Sequence, residues 1–412
     1  MFEAITNCRI CASRSMETVF DLGRLISCGV FPAGNEPDPP PMPLEVVQCK
    51  ECGLVQLRHN FQRDDLFRHT YGYRSGINES MKAHLAYIIA GVEQRVNLRE
   101  GDVVLDIGSN DGTTLGLYNI PSLKRIGIDP TIERFRQYYK PGILTVADFF
   151  TRDNFQNLKI GAPAKVVTSI AMFYDLPDPN AFVADVRDVL APDGIWVLEQ
   201  SYLPTMIDMG SFDTICHEHL EYYGLKQIVL LAERNRLRVI DVSLNDANGG
   251  SFQITISHDN QMHSRNDKAI DALLNREKAE GYDGRRPFDR LVAHIYTVRE
   301  NVMRFFTDAK RGGRLVHGYG ASTKGNTLLQ YFGIDAYLLP AIADRNPTKF
   351  GCRTPGTNIP IISEDESRAK RPDYYFVLPW HFREGFIERE QRFLERGGKL
   401  VFPLPQFQIV GA

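Results

Sequence analysis

No run of about 18 apolar residues occurs in this 412-residue chain, so it has no segment able to cross a bilayer as a helix. The opening stretch "MFEAITNCRICAS" also lacks a basic region followed by an apolar one, and a cytoplasmic protein is expected. Charge of one sign is missing too. With 48 basic against 51 acidic side chains and a net charge of -3, the chain carries no electrostatic footprint for nucleic acid. Seven cysteines are too few and odd in number for a disulfide scaffold. Internal repeats are absent as well. What is present is ordinary for a globular protein, 43% hydrophobic and 24% charged, and long enough for two or three domains.

Five of the seven cysteines precede residue 53, and four of them form "CRIC" (Cys8, Cys11) and "CKEC" (Cys49, Cys52). Each short loop can present two thiolates, and two such loops close a tetrahedral zinc site. The 37 residues between the pairs exceed ordinary ribbon spacing, but "GNEPDPPPMP" accounts for much of the excess as a loop that can bulge outward. Nothing in its spacing makes Cys28 a ligand.

Beyond this module, "SGINESMKAHLAYIIAGVEQRV" places Met81, Leu85, Ile88, Ile89 and Val92 on one helical face. Strand signals then alternate with helical ones: "DVVLDIGSNDGTTL", "RIGIDP", "KVVTSIAMFYDL" and "GIWVLEQSYL", with "NAFVADVRDVLAPDG" between. That alternation predicts a parallel, doubly wound sheet, closed by "LRVIDVSLND" and "GGSFQITISH" as an antiparallel pair. After a charged helical stretch, Asn266 to Lys310, the pattern restarts with "RLVHGYGASTKGNTLLQYFGI", and "AYLLPAIAD", "DYYFVLPW" and "GKLVFPLP" read as further strands. The expected fold is α/β: a zinc-binding module over 1–68, a Rossmann-like domain over 69–260 and a smaller Rossmann-like domain over 261–412.

In the first glycine loop, Gly108 and Gly112 allow a tight turn after Asp106, and Asp129 ends the next strand, where an acid can accept ribose hydroxyls. A diphosphate wants bare amides, whereas "GSNDG" puts Asp111 in the turn, a charge that suits a sulfonium. Asp148 can meet an adenine amino group and Phe149 or Phe150 an adenine face. Asn110, Thr113 and Ser169 complete the candidate set, and S-adenosyl-L-methionine is the expected cofactor. In the second loop, Gly318, Gly320 and a helix start can cradle a phosphate, with Ser322 or Thr323 donating and Lys324 supplying charge. The plain alternative is a βα turn without a ligand.

"CHEHLEYYG", residues 216–224, is the densest titratable stretch. His217 and His219 share a face only in an extended chain, and the helical zinc-protease spacing is absent. Core histidines, a metal held by His217 and His219, and proton transfer all remain open. In an extended segment Glu218 and His219 would diverge, making His217 the partner of His219.

Together "CRIC", "CKECGLVQL", "YGYRSG", "LDIGSNDG", "HEHLEYY", "NGGSF", "GYGASTKGNTLL", "TPGTNIPI" and "VLPWHF" resemble the sugar C-methyltransferases that build branched deoxysugars from nucleotide-linked ketosugars. The resemblance covers nearly the whole chain. It implies a structural zinc, a class I methyltransferase core using S-adenosyl-L-methionine, and a sugar nucleotide lying between the middle and C-terminal domains, against residues including Asn326 and Trp380. The family's Glu-His falls on Glu218 and His219, and its tyrosine-rich turn on Tyr71 and Tyr73. Some members carry Tyr-Asp where this chain has Cys216 and His217, and some a His near Tyr174.

Methyl transfer to a sugar carbon requires an enolate, hence a base. His219 can accept the proton, Glu218 or His217 can support it, and Tyr71, Tyr73 or Tyr222 can donate to the enolate oxygen. Two rival expectations are O- or N-methylation on the same scaffold and a non-enzymatic zinc-ribbon interaction protein. The expected partner is a small molecule, with neither nucleic acid nor membrane, and the protein is expected to be a monomer or small homo-oligomer.

Overall fold

The computed structural model describes residues 2–68, 72–261 and 263–411. Among these, no helix is long and apolar enough to cross a membrane.

The central sheet has seven strands in the order Leu237–Asn245, Ser251–His258, Leu190–Ser201, Ala164–Ile170, Val103–Ile107, Lys124–Ile128, Leu144–Val146. All neighbours are parallel except Ser251–His258, which runs antiparallel to both strands flanking it. Val103–Ile107 is buried at every position, as a central parallel strand covered on both faces must be. Helix Glu79–Arg95 covers one face, burying Leu85, Ile88, Ile89 and Val92, each worth about 1.5–3 kcal/mol when fully removed from water. The side chain of Asn78 caps it by accepting from the Ser80 amide.

The C-terminal sheet runs Ile361–Ser363, Ile342–Asp344, Val316–Tyr319, Tyr374–Val377, Lys399–Phe402, Gln408–Val410, parallel apart from the last strand. This is the doubly wound order whose connections reverse beside the first strand, leaving a crevice at the strand ends. The charged stretch before it forms two helices, Asp267–Glu280 and Arg286–Arg311, separated by left-handed Gly281 (φ 72°). "AYLLP" does not extend the second strand, which spans Ile342–Asp344 alone; Leu339 is buried in the preceding turn.

The N-terminal sheet does not close by itself. Its strands Met16–Leu25, Met42–Cys49 and Val55–Leu57 are completed by Glu221–Tyr222, contributed from the chain following the central sheet. One apolar cluster joins this sheet to helix Arg286–Arg311 and the C-terminal sheet, and a second joins the four cysteines to the central sheet. Arg9, between the first two cysteines, reaches the same junction: its guanidinium pairs with Glu221 at 3.3 Å and donates to Leu57 O at 2.8 Å and Asn60 Oδ1 at 2.6 Å.

Candidate active site

The carboxyl ends of the central strands open into a cleft of about 480 Å³, bounded opposite by the C-terminal sheet and along its rim by Gly29, Phe31, Arg63 and Phe67 of the N-terminal module. Three regions of the chain thus share one cavity.

At one end, Val103–Ile107 delivers Asp106 into a turn with left-handed Gly108 (φ 72°), Asn110 (φ 50°) and Gly112 (φ 75°). A Cβ on Gly108 would lie 2.8 Å from Met172 Cγ, so this approach requires glycine. Asp106 accepts from Thr168 Oγ1 at 2.5 Å, and burial raises its carboxyl to about 7. Asp129, at the end of Lys124–Ile128, accepts the Asn110 amide at 2.9 Å and both the amide and hydroxyl of Thr131 at 2.6 Å. Asp106, Asn110, Asp129, Phe149, Phe150 and Tyr73 all line this end. Glu199, at the end of Leu190–Ser201, joins them, held by His84 Nε2 at 2.5 Å and Asn245 Nδ2 at 2.7 Å. Buried acids beside aromatic rings suit a cationic ligand carrying an adenine.

Several neighbours turn elsewhere. Asp111 does not offer its charge to the cleft: it accepts the Gly76 amide at 2.9 Å and Thr113 Oγ1 at 2.6 Å and pairs with Arg74 at 3.3 Å. Gly112 packs on the Tyr139 ring, and Ser169 accepts from Trp196 Nε1 at 2.8 Å. Asp148 is half exposed and pairs with Arg68 at 3.0 Å, outside the lining.

The middle of the cleft holds the titratable stretch, and here the extended reading fails. Cys216–His219 is a turn, closed by His219 N donating to Cys216 O at 3.2 Å, so Glu218 and His219 both line the cleft. His217 points away, its ring edge-on to Phe61 at 4.9 Å and its Nε2 3.2 Å from Met42 O; it is not the partner of His219. His219 Nδ1 lies 2.7 Å from Thr214 O, which can only accept, so Nδ1 carries the hydrogen and Nε2 the lone pair. Burial, with the Lys324 cation adding to it, pushes His219 down to about 4. Glu218 is pushed up by burial, and its Oε2 has no hydrogen-bond partner. Gly29 faces it so closely that a Cβ there would lie 2.5 Å from Glu218 Oε1. Tyr222 lines a separate small void that also touches His219, and Tyr71 lies outside the described residues.

At the other end, helix Thr323–Phe332 starts at Ser322, whose hydroxyl accepts the Gly325 amide at 3.0 Å. Ser322, Thr323 and Lys324 line the cleft, together with Asn346 and Lys349. Lys324 Nζ donates to Asn248 O and Lys349 Nζ to Ala321 O, and burial lowers both amines. Gly318 and Gly320 serve packing, against Ile342 and Pro379. Asn326 and Trp380 are structural as well: Asn326 donates to Cys28 O at 2.8 Å, and Trp380 to Asp213 Oδ2 at 2.8 Å. Sequence reading missed Glu199, Asp175 and Lys349. Glu199 ends a strand, as Asp106 does, and was findable by the same rule; Lys349 leaves no signal.

Away from the cleft, the Sγ atoms of Cys8, Cys11, Cys49 and Cys52 all lie within 4.8 Å of one another. The contacts of 3.6 Å (Cys8–Cys52) and 3.4 Å (Cys11–Cys49) are far beyond a disulfide bond and close to the edge of about 3.8 Å of a tetrahedron with 2.3 Å Zn–S bonds. These four thiolates fit zinc.

The sheet order, the acid-lined glycine turn and the thiolate cluster define a methyltransferase of the S-adenosylmethionine-dependent class with an attached zinc module. Three family descriptions match in succession: "Putative zinc binding domain" over residues 8–67, "Methyltransferase domain" over 79–242 and "C-methyltransferase C-terminal domain" over 246–405. The C-methyltransferase NovU of Streptomyces niveus is 30% identical over 415 residues, spanning 99% of this chain and 97% of that protein. The chain belongs to this zinc-module C-methyltransferase family, and its cofactors are S-adenosyl-L-methionine and zinc. Among solved structures, the plantazolicin methyltransferase BpumL in complex with SAH aligns with 42% of this chain and 82% of its own (10% identity, TM-score 0.34). An S-adenosylmethionine-dependent methyltransferase from Clostridium acetobutylicum aligns with 44% and 93% (16% identity, TM-score 0.32).

Proposed function

We propose that this C-methyltransferase acts on a nucleotide-linked keto-deoxysugar, through an enolate generated next to the keto group. The observation that carries the reading is the continuity of the cleft: acids and aromatics at one end, Glu218 and His219 in the middle, two lysines and a helix N-terminus at the other. Asp129, Asp106, Asn110 and Phe149 would hold S-adenosyl-L-methionine, which supplies an electrophilic methyl on a sulfonium. Ser322, Thr323, Lys324 and Lys349 would hold the diphosphate of the sugar nucleotide.

His219 Nε2 takes the α-proton. Its depressed pKa keeps the ring neutral and able to accept, although weakly basic. Because the Lys324 cation contributes to that depression, a diphosphate bound at Lys324 would relieve it and make the base stronger only when substrate is present. Glu218 sits one residue away as a countercharge for the imidazolium that forms. The same reading places the protein in the cytoplasm as a monomer or small homo-oligomer, with a small molecule as its partner.

Mass spectrometry of products from a panel of nucleoside diphosphate ketohexoses, differing in base and keto position, tests the substrate class. Exchange of the α-proton in deuterium oxide tests the enolate. Exchange that is lost in His219→Ala is expected; methylated product without exchange would instead point to a hydroxyl or amine acceptor.

A further inference from the structure

The segment Phe173–Leu176 follows strand Ala164–Ile170 and runs directly beside the turn that carries Glu218 and His219. Leu220 N donates to Tyr174 O at 2.7 Å, and the Tyr174 and His219 rings stand 4.3 Å apart between centroids. Asp175, in the 3-10 turn Phe173–Asp175, therefore lines the same cleft as His219 and Glu218. Its Oδ1 is enclosed and has no hydrogen-bond partner. The titratable groups facing it are the Glu218 and Glu221 carboxyls, the Cys216 thiol and the Tyr222 hydroxyl, none of them cationic.

A carboxyl with no donor and no cation beside it cannot be held as an anion cheaply, since burial and neighbouring negative charge both favour the acid. Burial first, then the Glu218 and Glu221 carboxyls, hold Asp175 well above the usual carboxylate range. An enolising carbonyl needs the opposite of an anion at its oxygen: a donor already in place where negative charge develops. Lys324 and Lys349 each donate to a backbone carbonyl and stand at the end of the cleft assigned to the diphosphate, and Tyr222 lines a separate void.

Resting on the enolate reading above, we infer that Asp175 is a catalytic residue whose carboxylic acid donates a hydrogen bond to the carbonyl oxygen of the substrate as its α-proton leaves. The α C–H bond breaks and its electron pair forms the enolate double bond. The carbonyl π pair moves onto oxygen, where the Asp175 hydroxyl meets it, and the proton goes to His219 Nε2. Asp175 keeps its own proton throughout. A carboxylic acid kept neutral by an apolar site so that it can donate to an oxyanion is an established catalytic device.

The test is the pH profile of α-proton exchange in deuterium oxide, measured with S-adenosylhomocysteine present and the ketohexose of the panel that is turned over fastest. Wild-type exchange is expected to fall as pH rises through the raised Asp175 pKa, because the donor is then lost. Asp175→Leu should lower exchange by about 10²–10³-fold, the usual effect of removing one oxyanion donor. Asp175→Asn, which keeps a donor that cannot ionise, should retain more exchange than the Leu variant and lose the alkaline fall. If the Leu variant does not fold, judged by zinc content and S-adenosylmethionine binding, the Asn profile decides alone. An alkaline fall unchanged in Asp175→Asn, or wild-type exchange in Asp175→Leu, overturns the assignment to Asp175 and leaves the enolate reading standing. No exchange in the wild-type protein overturns both.

Discussion

Gly29→Ala places a methyl group where the N-terminal module meets the Glu218 carboxyl. The added Cβ would lie 2.5 Å from Glu218 Oε1, against the 3.4 Å at which ordinary contact begins, so the carboxyl must move by about 0.9 Å, the difference of the two. Gly29 is not in the left-handed region, so the backbone accepts alanine, and the clashing atom is the end of a side chain rather than backbone. The stability cost should therefore stay at the low end of the overpacking range, about 1 kcal/mol. Catalysis should suffer far more, because a displacement near 1 Å at a reacting centre costs about 10²-fold. Turnover number, α-proton exchange, zinc content and urea midpoint measured together separate the two effects. Gly91→Ala, on the exposed face of helix Glu79–Arg95 with nothing within 4 Å, is the control. A Gly29→Ala protein that is folded, has its carboxyl displaced in a crystal structure and turns over at the wild-type rate would refute the role given to Glu218.

Metal analysis should find one zinc per chain, and Cys49→Ser should abolish it, since the four sulfurs are the only described group of three or more ligand atoms close enough for a metal. Asp129→Ala should weaken S-adenosylmethionine about 10–100-fold by calorimetry, the equivalent of one charge-assisted hydrogen bond of about 1.5–3 kcal/mol, without altering zinc content. Burial depresses His217, His219 and His317 to about 4 each, so between that value and an unfolded value near 6.5 the unfolded chain binds more protons. Their contribution to stability should thus be full above about pH 6.5 and fall as pH drops toward 4; because the buried acids Asp106, Asp175 and Glu218 act in the opposite sense, it is read ring by ring in an NMR pH titration, where rings that titrate near 6.5 would contradict their burial in the neutral form.

Both Rossmann-like sheets were legible because period and punctuation decide them: apolar strands, glycine turns and an acid at a strand end recur in order. The cysteine pairs were equally plain, since ligand spacing is local. Asp111 misled, because sequence shows a charge in the turn but not that Gly76 and Arg74, some 35 residues earlier, bind it from outside. The reading of residues 216–219 as extended failed for a related reason. Alternation holds only where a ladder enforces it, and here the ladder begins at Glu221. Asn326 and Trp380 belong to conspicuous motifs, yet their polar atoms satisfy Cys28 O and Asp213 across the module junctions. Motif membership did not distinguish a ligand contact from a joint.

Arg9 gives the zinc module a consequence beyond its own fold. The residue sits between two of the metal's thiolates, and its buried guanidinium grips Glu221, two residues past His219. Metal binding would steady the CRIC loop further, and with it Arg9, the cation beside the buried Glu221 carboxyl. The turn that carries the imidazole and carboxyl is thereby tied to the metal module more directly than the glycine turn of the donor end is. Zinc removal by a chelator is therefore expected to lower α-proton exchange more than S-adenosylmethionine affinity, and an equal loss of both would refute this link between the module and the turn.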